Sequence, residues 1–400
     1  MRSSARLVEI FATAVALTWL APRPARADDS AFVYVDTNPD RTANAIAGIL
    51  TTADGHVSAV TGSPFATGGL GLAVEPGAEF AHRIEVAASR NLLFAANDGS
   101  GTVSVFNIEP ISGALAAVLG SPFSVSGGTP SSGISLAVSH DGRFLYASGA
   151  SLVSFFVDAN GGLNEIGSRW SFSQRVAGIA ITADNSRLFL STPTGVTILH
   201  TGEGGLTADP PAFLSLGSTA TDLRANASGS RIWVGTKSGG ITAYSYDTVN
   251  AALVPGAPFF VSVSGLSGLA IDSDAQSLFA YSPTGPLLAG MHVNSDGSLV
   301  LRGSPLIPPL AAISGAVTPD GHRLLLADSS GQLDAWATVD GSVTHLSGFP
   351  VLTGAAAGSP SVVTFPKTTP VPAAPGIMLA MLVALMLLAG FARLRPQTTR

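Results

Sequence analysis

The chain has 400 residues, a net charge of -6, only 12% charged residues and 45 glycines. With no basic cluster and no stripe of aromatic and Lys/Arg residues, it offers nothing to grip a phosphate backbone, which excludes nucleic acid as a partner. The absence of cysteine removes disulfides, thiolate metal sites and cysteine nucleophiles together.

At the N-terminus, Arg2 and Arg6 precede an apolar run from Ile10 to Leu20, and Ala25-Arg26-Ala27 offers small residues at alternate positions. This pattern predicts a signal peptide over 1–27 with cleavage after Ala27, hence export. Because Glu9 stands just before the apolar run, an uncleaved signal anchor is the alternative.

Residues 31–65 read as three short strands (AFVYVDT, AIAGILT, VSAVTGSPF) with polar turns between them. Asp36-Thr37-Asn38-Pro39-Asp40 opens like a calcium loop. However, Arg41 stands where such a loop needs Gly and Ala47 where it needs a bidentate Glu, so a polar hairpin loop is expected instead.

A repeat then begins. AASRNLLFAAN, VSHDGRFLYAS, TADNSRLFLST, NASGSRIWVGT, DSDAQSLFAYS and TPDGHRLLLAD place the residue before an apolar triplet at Asn91, Arg143, Arg187, Arg231, Ser277 and Arg323. The separations are 52, 44, 44, 46 and 46 residues. Each unit reads as strand, polar turn, strand, Gly-containing turn, strand, turn, strand, which is the length and grammar of a four-stranded propeller blade. Solenoid stacking fits such long units poorly. The first unit lacks an innermost strand, whereas SPSVVTF (Ser359 to Phe365) is a strand without a unit. The expectation is therefore an all-β, seven-bladed β-propeller over 28–365 whose first blade is completed by the C-terminal strand, hiding both sheet edges.

Beyond it, PKTTPVPAAP (Pro366 to Pro375) reads as a Pro-rich linker, 376–392 as one transmembrane helix, and 393–400 as a basic tail. The uncharged stretch is long enough to cross a core of roughly 30 Å, and Arg393, Arg395 and Arg400 place the tail on the cytoplasmic side. The membrane is thus an expected partner, with the propeller outside the cytoplasm. The tail also resembles PEP-CTERM-type sorting signals through Val371-Pro372-Ala373-Ala374-Pro375, although the usual acidic residue between the prolines is missing.

The hairpin His140-Asp141-Gly142-Arg143-Phe144-Leu145-Tyr146, the "GTVSVF" strand from Gly101, and the GSPF segments at Gly62–Phe65 and Gly120–Phe123 carry a second resemblance. They are similar to the lactonase-type seven-bladed propellers, related to bacterial 6-phosphogluconolactonase and the YVTN-repeat proteins, over roughly residues 31–365. The resemblance implies a functional face formed by the turns before innermost strands and after second strands. It also implies a lactonase chemistry needing a base or activated water and donors for the oxyanion.

On that face His82, Arg83 and Glu85 stand together before an innermost strand, and they are the candidate catalytic residues if the chain is a lactone hydrolase. Asp98, Arg175, Asp222, Arg224 and Lys237 are candidate ligand-binding neighbours. The plainer reading makes Arg83 and Glu85 a satisfied pair and His82 a turn cap. There is no G-x-S-x-G, no H-E-x-x-H and no pair of histidines at metal-ligand spacing, so neither metal nor cofactor is expected. The four tryptophans do not recur at the blade period, against a quinone-cofactor propeller. The function expected is a non-catalytic binding scaffold at the cell surface for an envelope protein or glycan; the alternative is hydrolysis of an extracytoplasmic lactone.

Overall fold

The computed structural model describes residues 30–368 except 53–54, 73–81, 126–132, 150, 172–174, 208–210, 248–251, 262–264, 284–286 and 355–357. The predicted signal peptide, the linker beyond 368, the 376–392 helix, the basic tail and the sorting motif lie outside these residues. Among the described residues no helix is long and apolar enough to cross a membrane. The chain divides into two compact units, Met1–Lys367 and Thr368–Arg400, and every strand below belongs to the first.

The unit is all-β, its helical content among the described residues being a single 3-10 turn at Ala88–Arg90. Its strands are antiparallel meanders. Ala31–Asp36 pairs with Ala43–Thr51 on one side and with Ser361–Pro366 on the other, from Ala31↔Pro366 to Asp36↔Ser361. The last strand therefore lies against the first, the partner that the strand without a unit calls for. The next meander runs Ile84–Ala87, Leu92–Asn97, Thr102–Ile108, Leu115–Ala117. Two further meanders, starting at Ser135–Val138 and Gly178–Ile181, merge into one sheet through Gly205–Leu206, which pairs in parallel at Gly167↔Leu206. Three more start at Ala220–Ala225, Gly268–Ile271 and Ser314–Val317. The opening strands of successive meanders lie side by side, and Ser361–Pro366 neighbours both Ser314–Val317 and Ile84–Ala87.

The core lies between sheets. Second strands are continuous apolar runs because both of their faces are covered. In Leu92–Asn97 every residue is buried, and alternation sends Leu92, Phe94 and Ala96 into one inter-sheet cluster and Leu93 and Ala95 into the other. Fourth strands such as Leu163–Ser171 are mostly solvated.

One local device repeats in the hairpins after five of the opening strands; the hairpin after Ile84–Ala87 has a 3-10 turn instead. The side-chain oxygens of Ser139, Thr182, Asn226, Asp272 and Thr318 each accept the backbone N–H five residues on, at Phe144, Arg187, Arg231, Ser277 and Arg323, over 2.9–3.1 Å. The turn needs a left-handed residue, supplied by glycine at 142, 229 and 321 and by Asn185 and Ala275 at φ 56° and 53°. This register moves two anchors: the carbonyls of Asn91 and Arg143 accept from the third strand where those of Ser186 and His322 do, so Leu92 and Phe144, not Asn91 and Arg143, are equivalent to Arg187 and Arg323. The consequence is chemical. Arg187 donates to Tyr246 Oη (2.9 Å), and Arg323 donates to Thr51 Oγ1 (2.9 Å) and the Thr52 carbonyl (2.6 Å), whereas Arg143 is 60% exposed.

Candidate functional site at the axis

The opening strands bring the charged residues of the predicted face to the axis. His82 and Glu85 come from the approach to Ile84–Ala87 and from that strand itself. Asp222 and Arg224 come from Ala220–Ala225, where a bulge between Ala220 and Asp222 shifts the register against Arg231–Thr236. A bulge re-aims a side chain, and here the Asp222 carboxylate is fully buried. Its Oδ1 accepts from His82 Nε2 (2.8 Å) and the Leu223 N–H (2.7 Å). Its Oδ2 accepts from the Leu269 N–H (2.8 Å) and faces Arg224 Nε at 3.3 Å. Arg224 Nε also donates to the Leu269 carbonyl at 2.9 Å.

On its other side His82 Nδ1 lies 3.5 Å from Glu85 Oε1. Burial and the Arg224 guanidinium oppose a charged imidazole, but the Asp222 and Glu85 carboxylates outweigh them and raise the His82 pKa. Burial likewise opposes ionisation of Asp222, yet Arg224 and His82 hold its pKa below the ordinary value. A guanidinium, an imidazole whose protonated form is favoured and two carboxyl groups therefore face one another. Glu85 and Arg224 line two axial cavities, of about 190 Å³ with His82, His140 and Asn226, and of about 210 Å³ with Gly315, Val317 and Val363. The remaining lining is largely aliphatic.

Arg83 leaves this group. Its Nε donates to Asp98 Oδ2 (2.7 Å) and its Nη1 to the Ser359 carbonyl (2.9 Å). Asp98 also accepts from Asn38 Nδ2 (3.0 Å) and the Ile134 N–H (2.7 Å). The candidate trio is thus split: His82 and Glu85 share the axis with Asp222 and Arg224, while Arg83 and Asp98 form a separate buried pair. This also corrects the plainer reading, since the partner of Arg83 is Asp98 rather than Glu85. His82 lies in a turn and Arg83 in a bend just before the strand, and the way that turn sends the two side chains apart is nothing a list of residue types can convey. Lys237 is exposed in the turn after Arg231–Thr236, and Arg175 is half-buried before Gly178–Ile181; neither is among the residues lining these cavities.

Two groups escape sequence reasoning. Tyr281, fully buried, is raised in pKa by burial and by Asp222. Asp36 is no loop residue: it ends the strand Ala31–Asp36 and is fully buried. A signal existed in the alternation Phe32, Tyr34, Asp36, which carries a carboxylate onto an apolar face. Among the described residues there is no cluster of three or more His, Cys, Asp or Glu able to hold a metal.

Structural comparison decides the fold. The periplasmic gluconolactonase PpgL of Pseudomonas aeruginosa is similar over 85% of this chain and 100% of its own, with TM-score 0.67 and 20% identity. A Bacteroides fragilis protein assigned provisionally as a 6-phosphogluconolactonase matches over 86% and 99%, with TM-score 0.67 and 15% identity. The β-propeller domain of Myceliophteria thermophila Cps50 (Swd1) matches over 70% and 89%, with TM-score 0.52 and 14% identity. The chain has a β-propeller-like fold. At these identities the propeller likeness is one of fold alone, since function resides in sites rather than folds. No protein-family model and no curated protein sequence matches the chain.

Proposed function

We propose that the chain is an exported seven-bladed β-propeller, closed by its C-terminal strand and anchored through residues 376–392, that serves as a non-catalytic binding scaffold for an envelope protein or glycan. The count of seven is supported by the neighbour relations of the opening strands, which return from Ser314–Val317 through Ser361–Pro366 to Ile84–Ala87. The observation carrying the non-catalytic reading is the saturation of Asp222, which takes His82, Arg224 and two backbone N–H groups at once. A carboxylate so engaged holds the ring together across its axis, and it leaves His82 Nε2 without a substrate to serve.

The scaffold reading is tested by offering the propeller, freed of both terminal segments, to fractionated envelope protein and glycan. Retention by a defined component supports it, and failure to bind any fraction counts against it. The sorting-signal reading of the tail predicts a mature protein lacking residues 376–400 on a membrane-fraction blot; a retained tail rejects processing and keeps the anchor.

One observation favours a second reading, a lactone hydrolase. Glu85 is 25% exposed and opens onto both axial cavities beside His82, and one similar fold is a periplasmic gluconolactonase. On this reading Glu85 takes a proton from the attacking water, Arg224 stabilises the carbonyl oxygen, and His82 positions Glu85.

A further inference from the structure

Buried polar groups in folded proteins nearly always have partners, and an exception calls for a cause. Asp36 is fully buried, and neither carboxyl oxygen makes a well-formed hydrogen bond among the described residues, although the Asn44 side chain and the Asn38 N–H lie close enough to act on it. Its nearest candidates are engaged elsewhere. The Asn44 amide donates to the Ala96 carbonyl and Asn97 Oδ1, both at 3.1 Å, and the Asn38 N–H donates to Asn44 Oδ1 at 2.8 Å.

The charged groups facing Asp36 are Asp98 and Arg83 of the second meander. The first meander presents neutral Asn38 and Asn44, and the last strand presents Ser361 in register. Arg83 is bonded to Asp98 and ties it to the Ser359 carbonyl, just before the last strand. Two carboxyls thus lie near one guanidinium in a buried junction, and the charge balances there only if Asp36 carries a proton.

We propose that Asp36 is a proton-held latch at the junction of the first and last strands, neutral at neutral pH while Ser361–Pro366 lies on Ala31–Asp36 and ionised once that pairing loosens. Burial foremost, with Asp98 adding to it, pushes the Asp36 pKa up to about 8, against lowering pulls from the Asn44 side chain, Arg83 and the Asn38 N–H. The sign follows: a carboxyl raised from 3.8 favours the closed junction fully below that value, and the advantage is lost as pH rises toward about 8.

The test is hydrogen exchange of the full chain, corrected for intrinsic rates, comparing the wild type with Asp36→Asn from about pH 5 to about pH 9. In the wild type the opening constant of Ala31–Asp36 and Ser361–Pro366 rises by up to about tenfold per pH unit and levels off above about pH 8; in Asp36→Asn it stays flat. Parallel profiles in the two proteins overturn the latch. If Asp36→Asn does not fold, the wild type alone decides. A pH-dependent opening confined to these two strands supports the latch, and one equally present in Arg231–Thr236 and Gly240–Asp247 overturns it. Protection restored at high pH by excess calcium chloride also overturns it, because Asp36 then serves a cation rather than a proton.

Discussion

His82 Nε2 lies 2.8 Å from Asp222 Oδ1, although 140 residues separate them and they belong to different meanders. The pair joins the first recognisable repeat to the fourth across the axis. Removing the acceptor strands a buried imidazole and two N–H groups at once and takes the counter-ion from Arg224, whose Nε keeps the Leu269 carbonyl. Asp222→Ala is therefore expected to lower stability by about 3–5 kcal/mol, as when a buried pair is broken from one side. Urea unfolding of the full chain measures this, and a loss below about 1 kcal/mol contradicts the role given to Asp222.

The same group sets a pH window. His82 is raised above its ordinary 6.5, so its contribution is complete below that value and is lost as pH rises through its higher folded value. Asp222 is lowered from 3.8, so its contribution is complete above 3.8 and is lost as pH falls through its lower folded value. The axial group is thus strongest between those two limits. The stability difference between wild type and His82→Gln should shrink once the pH passes above 6.5. A difference independent of pH means that the imidazole acts by shape alone.

The register shift in the repeated hairpin separates two arginines that look alike in sequence. Arg323 donates to Thr51 and Thr52 of the first meander, while Arg143 is 60% exposed. Arg323→Met should cost about 1–3 kcal/mol by stranding buried acceptors, and Arg143→Met less than about 0.5 kcal/mol. Equal losses in thermal unfolding reject the register.

The repeat period, the strand grammar and the partner of the last strand were legible in the sequence because they rest on local pattern: apolar triplets, turn residues, and a strand count that leaves one meander short. The residues of the axial group were legible as types on one face. Their division was not. Whether His82 or Arg83 turns to the axis depends on the turn and bend that precede Ile84–Ala87, and the bulge at Ala220–Asp222 has no marker in residue type. Asp36 was misread for a related reason, since a carboxylate following an apolar strand is in most chains the first residue of a loop. What buries it is a strand more than 300 residues away.

The central claim is that the axial charges hold the ring rather than turn over a substrate. The most direct measurement is acid release at constant pH from a panel of sugar and aliphatic lactones, using the wild type and Glu85→Gln. The account predicts that both match the buffer rate. Turnover by the wild type that disappears in Glu85→Gln would contradict it and establish the lactone hydrolase instead.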